Sequence, residues 1–543
     1  MMSKGSPDYD VVVVGAGFAG LYLLYRLGEA GFTALAFEQG DNVGGTWYWN
    51  RYPGARCDAE SLAYSFSFSE ALEQDWQWTE RYATQPEILR YAEHVADRFD
   101  LKRHIRFDTT VTAARYDEGR NVWTVSTNRG DAVTSRFCIM ATGCLSVPQM
   151  PDIPGLDDFA GLTVYTGLWP HDGVDFRGKR VGIIGTGSSA IQAIPVIAAE
   201  AEELTVFQRT PNFSVPAKNR PLDPAWVAEF KKRYREHRAY HRAGLGQGFG
   251  ELTIEPKPGG PAVESAALIP EAEALAVLES YWERGGAAFV GALGDTIISP
   301  ETNAFVADFV REKIRSIVQD PETAEILCPT SHPIGTKRIC VDTDYYETFN
   351  RDNVSLVDLK RTPIERITPE GLVTSAAGFE FDILVLATGF DAMTGALNRI
   401  DIRGVEGRAL ADHWAAGPQT YLGLAVAGFP NLLLVTGPGS PSVLSNMLVS
   451  IEQHVDWMLD CLERMRADGH QRLEATPAAE QEWVAHVNEV AAATLFPKAG
   501  SWYMGANIPG KPRVFMPYAA GVGPYRDICT DVAADGYRGF SFR

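Results

Sequence analysis

The stretch Val11-Val12-Val13-Val14-Gly15-Ala16-Gly17-Phe18-Ala19-Gly20 decides the fold of this chain. Its four valines predict a buried strand, and the glycine turn leads into an amphipathic run over residues 21–29. Residues 33–37 predict a second strand, which ends at Glu38. Strand, glycine turn, helix and strand in this order predict the first unit of a doubly wound α/β sheet.

Each glycine of the turn has a physical role in holding a dinucleotide. Gly15 allows the tight turn, Gly17 lets the backbone approach a pyrophosphate, and Gly20 lets the helix pack closely on the strand. The carboxylate of Glu38 stands where it can accept hydrogen bonds from two ribose hydroxyls. A purely structural glycine turn is the alternative, but the context on both sides predicts a binding site for FAD.

The pattern occurs a second time, in Gly185-Thr186-Gly187-Ser188-Ser189-Ala190, between a strand at 180–184 and a helix at 191–201. The following strand ends in Arg209-Thr210 instead of an acid. A carboxylate there would repel a 2′-phosphate, whereas a guanidinium and a hydroxyl bind it. The second unit therefore predicts an NADPH site, with a plain surface arginine as the alternative for Arg209.

Residues 220–332 change to a helical pattern, in which Asp223-Pro224 and Ser299-Pro300-Glu301 are typical helix starts. The glycine- and proline-rich residues 244–261 predict a loop. We expect an α/β protein with two Rossmann-like domains: an FAD domain from residues 1–144 and 382–543, and an NADPH domain at 145–381 that carries the helical insertion. Residues 383–386 predict a strand with which the FAD domain resumes.

Composition narrows the function. The 543 residues carry a formal net charge of -20 at pH 7, with 45% hydrophobic and 22% charged residues, as in ordinary globular proteins. The negative charge disfavours general binding to nucleic acid or anionic membranes. The seven cysteines are scattered, without a C-x-x-C pair, and neither a leader nor a membrane span is apparent. We expect a cytoplasmic protein that is a monomer or a weak homodimer.

A basic run and a pair of histidines are both predicted to lie on a solvated surface. Lys231-Lys232-Arg233-Tyr234-Arg235 predicts an exposed basic helix face. His237 and His241 are spaced for one helix face, but basic residues surround them and no carboxylate is placed to join them. We therefore expect no metal site, and no hydrolase or phosphate-loop motif is present.

Several further motifs make the chain resemble the Baeyer–Villiger monooxygenases over nearly its whole length, and within them the subgroup of phenylacetone and steroid monooxygenases. The motifs are Gly44-Gly45-Thr46-Trp47-Tyr48-Trp49-Asn50-Arg51-Tyr52-Pro53-Gly54 with Ala55-Arg56-Cys57-Asp58, Met140-Ala141-Thr142-Gly143, Gly335-Thr336-Lys337-Arg338, Ala387-Thr388-Gly389-Phe390-Asp391 and Gly505-Ala506-Asn507-Ile508-Pro509-Gly510-Lys511. The family fingerprint F-x-G-x-x-x-H-x-x-x-W-P is present as Phe159, Gly161, Trp169 and Pro170, with Tyr165 in place of the histidine. Because tyrosine titrates near 10 and is bulkier, this change bears on domain coupling or the pH profile.

The resemblance implies that NADPH reduces FAD, that O2 adds to give a flavin peroxide, and that this peroxide converts a ketone to an ester or lactone, with sulfoxidation as a side activity. It implies that Arg338 is the cation beside the peroxide and that Asp58 orients it. Cofactor contacts are implied at Gly15, Gly17, Phe18, Gly20, Glu38, Gly45, Thr46, Trp47, Asp58, Tyr64, Gly185, Thr186, Gly187, Ser188, Ser189, Arg209, Thr210, Lys337, Arg338 and Trp502. The implied substrate pocket comprises Cys144, the bulge Ser442-Val443, Leu444 and Met447, which favours an aryl, bulky or cyclic hydrophobic ketone.

Three alternatives stay open at this point. A flavin disulfide reductase needs a second cysteine near Cys57, but Leu62 stands there. A flavin monooxygenase of sulfides or amines needs the same cofactors and a protonated peroxide. A flavoprotein without monooxygenation, such as an NADPH sensor or oxidase, has no use for Arg338 and Asp58 together.

Overall fold

Two largely parallel sheets, each built on one of the glycine turns, organise the computed structural model, which describes residues 6–243 and 263–543. The strands of these residues are β1 Tyr9–Val14, β2 Ala34–Phe37, β3 Ile105–Arg106, β4 Val111–Asp117, β5 Val122–Thr127, β6 Ala132–Met140, β7 Leu162–Tyr165, β8 Arg180–Ile184, β9 Glu203–Gln208, β10 Ser214–Pro216, β11 Cys340–Asp342, β12 Val354–Asp358, β13 Ile364–Thr368, β14 Gly371–Thr374, β15 Gly378–Glu380, β16 Ile383–Leu386, β17 Asp401–Arg403, β18 Leu432–Leu434, β19 Leu473–Ala475 and β20 Phe540–Phe542. The helices are α1 Phe18–Glu29, α2 Thr46–Trp49, α3 Glu70–Asp75, α4 Gln85–Arg98, α5 Ser188–Glu200, α6 Pro224–Lys232, α7 Tyr234–Ala243, α8 Glu271–Arg284, α9 Pro300–Ile317, α10 Pro321–Leu327, α11 Tyr345–Thr348, α12 Gly395–Asn398, α13 Leu410–His413, α14 Met447–Asp468, α15 Pro477–Ala492 and α16 Val522–Ala534. The expected loop at 244–261 lies outside the described residues.

The first sheet has the order β17-β4-β5-β6-β1-β2-β3, and β18 pairs with β6. Its centre is β1, whose side chains alternate between two apolar layers: Val11 and Val13 pack with α1, while Val12 and Val14 face the opposite side. Because β17 and β18 come from the C-terminal segment, this sheet is built from both ends of the chain.

The second sheet has the order β12-β9-β8-β16-β7. Strand β16 pairs in parallel with both β7 and β8. The expected domain boundary at residue 382 is therefore wrong for β16: this strand belongs to the second domain and not, as expected, to the first. Four apolar residues predict a buried strand but carry no information about which sheet receives it.

The helical insertion begins where its caps predict. Asp223 accepts a hydrogen bond from the backbone of Ala225 at 2.8 Å, and Ser299 accepts one from Thr302 at 3.2 Å. Helices α6 and α7 nevertheless pack one side against the first domain, so the prediction of a solvated face holds for Lys232 and Arg235 and is wrong for Lys231 and the two histidines. Lys231, Tyr234, His237 and His241 are all buried, and α7 packs against α16 of the first domain.

Buried hydrogen-bond partners explain how the cations Lys231 and Arg238 leave water. Lys231 donates to the carbonyls of Gln74 and Trp76 at 2.8 and 2.7 Å. Arg238 donates to Glu73 at 2.8 Å, and the two side chains are only 6% and 8% exposed. Burial lowers the pKa of His241 to about 3, and nearby Arg238 adds to the effect. In the described part of the chain, no cluster of three metal-ligating side chains occurs, and no helix there has the length and apolarity to cross a membrane.

Candidate active site

The two glycine turns are held in the same way by the two Ala-Thr-Gly segments. Gly15 has φ +104°, and a β-carbon there would lie 2.5 Å from the carbonyl oxygen of Ala141. Gly185 has φ +117°, and a β-carbon would lie 2.4 Å from the carbonyl oxygen of Ala387. Only glycine combines the left-handed backbone with this approach. Each Ala-Thr-Gly segment thus fixes the first glycine of one turn.

The first turn forms a cradle that fits the pyrophosphate of FAD. Gly17 faces Gly45 so closely that a β-carbon on Gly45 would lie 2.9 Å from the Gly17 α-carbon. A β-carbon on Gly20 would lie 2.0 Å from the carbonyl oxygen of Gly15, which places α1 directly against the turn. No side chain caps the N-terminus of α1, so its amide groups and positive dipole end are free for a phosphate.

Glu38 closes this cradle at the end of β2. Its carboxylate accepts hydrogen bonds from the amides of Ala16 and Gly40 at 2.8 and 2.9 Å. Burial raises the pKa of Glu38, and these amide hydrogen bonds oppose the rise. The acid is thus held against the turn, where ribose hydroxyls can reach it.

Aromatic residues form the next layer of the flavin side. Trp47, in α2 next to exposed Thr46, donates to the hydroxyl of Tyr64 at 3.1 Å. Tyr64 also meets the ring of Phe18 edge-on, with centroids 6.0 Å apart. The structure brings these implied FAD contacts into one group.

The second turn differs from the first in its openness. A β-carbon on Gly187 would meet no heavy atom within 4 Å, and α5 begins without a side-chain cap. Thr186 donates to the carbonyl of Thr210 at 3.2 Å, and the Ser188 hydroxyl lies 3.3 Å from the sulfur of Cys340. The open space at Gly187 and the uncapped helix fit a second pyrophosphate.

The loop before Asp58 docks the first domain onto α5. The hydroxyl of Tyr52 donates to Gln192 at 2.8 Å and also contacts Ser189. Gly54 has φ +79°, and a β-carbon there would lie 2.2 Å from the carbonyl oxygen of Gln192. The sequence did not reveal Gln192, because nothing local marks a helix residue that receives a distant loop.

Arg338 and Asp58 form the charged centre between the two domains. The Arg338 guanidinium donates from Nε and Nη2 to the two carboxylate oxygens at 2.9 and 2.8 Å. Its Nη1 donates to the carbonyl of Val443 at 2.6 Å. The side chains of Arg338 and Asp58 are 22% and 25% exposed. Burial works against the charged form, but the carboxylate of Asp58 raises the pKa of Arg338 above its ordinary value, so the cation is permanent.

An apolar cluster lies beside this pair. Its buried members are Cys144, Ala392, Met393, Val443, Leu444, Ala491, Phe496, Tyr503, Phe515 and Met516, with Met447 and Trp502 packed against them. Burial raises the pKa of Tyr503 to about 12, although Arg338, which it contacts, opposes the rise. Tyr503 is therefore a neutral neighbour of the cation. Of the two neighbours Trp502 and Tyr503, the sequence analysis singled out only Trp502.

The bulge that carries Val443 is strained. Ser442 has φ +42° and Met393 has φ +66°, in a region that non-glycine residues rarely adopt. Both are buried, and the Ser442 hydroxyl lies 3.8 Å from the sulfur of Met393. Strain held by close packing is typical of functional sites. It directs the Val443 carbonyl to Arg338.

A basic cluster stands at the edge of the second sheet. Burial lowers the pKa of Lys337, and the charges of Arg209 and Lys360 lower it further. Among the described residues, none of the three forms an ion pair. Three unpaired cations beside Thr210 fit a 2′-phosphate. Lys360 was missed, because only the pairing of β12 with β9 reveals that it lies next to Arg209.

Tyr165 of the fingerprint ends β7, paired with Leu386 of β16. Its side chain packs against the apolar layer that contains Ile184, Phe207 and Leu386. Burial raises the pKa of Tyr165, as does the charge of Asp157. At neutral pH this position is therefore uncharged, and its strand partner Leu386 immediately precedes the second Ala-Thr-Gly segment.

Fold and site together define an α/β oxidoreductase with two dinucleotide-binding domains. A family model described as pyridine nucleotide-disulphide oxidoreductase matches residues 12–244. The chain is 42% identical to acetone monooxygenase (methyl acetate-forming) of Gordonia sp. strain TY-5, over 98% of each chain. It is 41% identical to phenazine N-monooxygenase of Lysobacter antibioticus, over 99% of this chain and 98% of that one.

Among solved structures, oxidised steroid monooxygenase bound to NADP has 54% identity and a TM-score of 0.93, and the match covers 98% of this chain and 99% of that chain. The chain belongs to the family of Baeyer–Villiger monooxygenases, which are NADPH-dependent flavin enzymes. This confirms the resemblance seen in the sequence motifs. It also makes the disulfide reductase wrong as an alternative: Cys57 is a free, buried thiol.

Proposed function

We propose that this chain uses FAD, NADPH and O2 to insert one oxygen atom next to the carbonyl of a hydrophobic ketone, giving an ester or lactone. The observation that carries the proposal is the Arg338 guanidinium, held on three of its donors by Asp58 and the Val443 carbonyl beside an apolar cluster. Per turnover, NADPH supplies two electrons and, with one proton, the two hydrogens of the water. One oxygen atom enters the ketone and the other leaves as water.

Each cofactor has its proposed place among the described residues. The first turn, Glu38 and the Trp47–Tyr64 pair would hold FAD. Bound FAD, once reduced, would be the group that reacts with O2. The second turn and the cluster of Arg209, Lys337 and Lys360 hold NADPH. Both turns lie at the carboxyl ends of parallel strands, where doubly wound sheets bind their ligands.

Arg338 stabilises negative charge that develops on oxygen during the reaction. A permanent cation in a water-poor site does this better than one in bulk solvent, because the surrounding dielectric is low and the group is already oriented. Asp58 fixes the plane of the guanidinium, and the Val443 carbonyl fixes one end. Both side chains are partly exposed, so a substrate can approach the pair.

The substrate class follows from the pocket lining. Cys144, Val443 and Leu444 are buried, and Met447 packs against them. Burial raises the pKa of the Cys144 thiol to about 11, so the lining carries no charge. An aryl, bulky or cyclic ketone suits this surface better than a charged substrate.

Oxidation of sulfides or amines is the second candidate. It is supported by the 41% identity to a phenazine N-monooxygenase. The apolar pocket accepts a neutral sulfide as well as a ketone. We also propose a cytoplasmic location, supported by seven free cysteines, all buried.

A product assay tests the proposal. Purified holoenzyme receives NADPH and air with phenylacetone or thioanisole, and products are read by mass spectrometry. Benzyl acetate from phenylacetone is the expected result, with sulfoxide as a minor product. Sulfoxide alone establishes the second candidate instead. NADPH consumption that converts O2 only to hydrogen peroxide in the presence of either substrate contradicts the two candidates together.

A further inference from the structure

Two linkers connect the domains, and they pair with each other. Residues 142–150 and 387–393 run antiparallel, with Pro148 opposite Phe390. Backbone hydrogen bonds at 2.8 Å run from Gln149 to Gly389 and from Asp391 to Val147. Any change in the relative position of the two domains therefore acts on this paired strip, which we call the hinge.

The segment of residues 501–511 is tied to the hinge at its far end. Lys511 donates from Nζ to the Asp391 carboxylate and to the Ala392 carbonyl, both at 2.7 Å. Asn507 donates to the Phe390 carbonyl at 2.7 Å. The Lys511 and Asp391 side chains are 11% and 26% exposed, so this ion pair is shielded from solvent and stronger than a surface pair.

Local backbone geometry is adapted to this tie. A β-carbon on Gly395 would lie 2.7 Å from the carboxylate carbon of Asp391. Gly505 has φ +68°, and a β-carbon there would lie 3.2 Å from the Lys511 side chain. Both glycines leave room for the ion pair, which indicates that its position is specified by the fold.

The near end of the same segment reaches the active site. Tyr503 lies in one apolar cluster with Cys144 of the first linker, Met393 of the second, and Val443. Tyr503 contacts Arg338, and Val443 accepts a hydrogen bond from it. The hinge, the segment and the catalytic cation thus form one packed series of contacts.

We propose that Lys511 is a positioning residue: by tying residues 501–511 to the hinge, it keeps Trp502 and Tyr503 packed beside the Arg338 site. The inference rests on the proposed function. Without the tie, the site opens to water independently of the hinge. NADPH then still delivers its electrons, but more of the oxygen leaves as hydrogen peroxide, in the balance NADPH + H⁺ + O2 giving NADP⁺ + H2O2.

The test compares Lys511→Met with Lys498→Met in the holoenzyme. Lys498 is exposed and precedes the segment, so it is a matched lysine without the tie. We expect a several-fold larger fraction of NADPH oxidised to hydrogen peroxide for Lys511→Met, at an unchanged rate of flavin reduction. Lys498→Met should match the parent enzyme. Asp391→Asn should raise the peroxide fraction in the same way. The double variant with Lys511→Met and Asp391→Asn should have a peroxide fraction little higher than that of either single variant.

Gly395→Ala separates positioning from a simple loss of charge. It displaces the Asp391 carboxylate but keeps both ionic groups, so it should also raise the peroxide fraction. An unchanged peroxide fraction in Lys511→Met, with the parent forming product, overturns the positioning role alone. A slower flavin reduction with a normal peroxide fraction also overturns it. A parent that forms no oxygenated product overturns the proposed function first.

Discussion

Arg338 and Asp58 lie 280 positions apart in the chain, yet they share two hydrogen bonds of 2.9 and 2.8 Å. Asp58 comes from the first domain, after the loop that docks on α5, while Arg338 follows the helical insertion of the second. The pair therefore exists only when both domains have folded and docked. Correct docking of the two domains is therefore required to form the proposed catalytic site.

Replacement of Arg338 by alanine should separate the two halves of the reaction. NADPH should still reduce the flavin, because the nicotinamide site keeps its own contacts. Ester formation should fall by at least about a hundredfold, the usual cost of removing a fixed group that stabilises developing charge. Stopped-flow reduction and product analysis measure the two steps. Arg177→Ala, at an exposed arginine of the same domain, is the control, and a normal ester yield from Arg338→Ala contradicts the assigned role.

Replacement of Lys360 by alanine should weaken the binding of NADPH but not that of NADH. Loss of one charged hydrogen-bond donor to a 2′-phosphate should raise KM for NADPH about tenfold, while KM for NADH, which lacks this phosphate, stays the same. Initial rates with both cofactors provide the measurement. The exposed Lys179 offers a control in the same domain. Equal effects on both cofactors are incompatible with a phosphate contact.

Arg238→Met should destabilise the protein strongly, although Arg238 lies far from the reacting groups in sequence. The substitution leaves Glu73 buried without its partner and removes donors from the carbonyls of Ala63 and Phe66. A cost of about 3–5 kcal/mol in the free energy of unfolding is expected. Because those carbonyls flank Tyr64, FAD retention should fall as well. Thermal unfolding and flavin content are the readouts.

The matched control for that substitution is on the same helix. Arg235 has a 92% exposed side chain, and its ion pair with Glu70 spans 3.5 Å. Arg235→Met should leave stability and flavin content almost unchanged. Similar losses in the two variants disprove the special role of Arg238.

Asp342 should make stability depend on pH. It is buried on β11, where it accepts hydrogen bonds from the Ser214 hydroxyl and the Tyr345 amide. Burial raises the pKa of Asp342 from 3.8 to about 7, against the Ser214 hydrogen bond. The folded state thus binds a proton that the unfolded chain has released, so this stabilisation is complete below pH 3.8 and is lost as pH rises through about 7.

Asp342→Asn should remove this loss, because the amide does not ionise. Thermal midpoints across the range between the two pKa values should fall with pH in the parent and stay flatter in the variant. Asp352→Asn, at an exposed position, should behave as the parent does. Parallel profiles for all three proteins refute the assignment to Asp342.

Local sequence was sufficient for much of the fold. The valine strand, the two glycine turns and the caps at Asp223 and Ser299 depend on neighbours within a few residues. Backbone sterics and hydrogen bonding then act over the same short range that the pattern samples. The family motifs added Arg338 and Asp58 by resemblance, and the structure brings those two residues together.

Sequence alone failed where an outcome depends on a distant surface. Lys231 and Arg238 are buried, because carbonyls and a carboxylate of the first domain are available to satisfy their charges, whereas Lys232 and Arg235 stay exposed. Whether a cation faces water or protein is a property of what packs against its helix, and no local pattern contains it.

The chain by itself thus determined two dinucleotide-binding units and the residue types of the site, because turns, caps and strand patterns are set by short-range sterics. Only the tertiary structure decided that Ile383–Leu386 joins the second sheet, that Lys360 lies beside Arg209, and that Lys511 is tied to Asp391. Those outcomes depend on strand order and domain packing, where free energy comes from contacts between segments that are far apart in sequence.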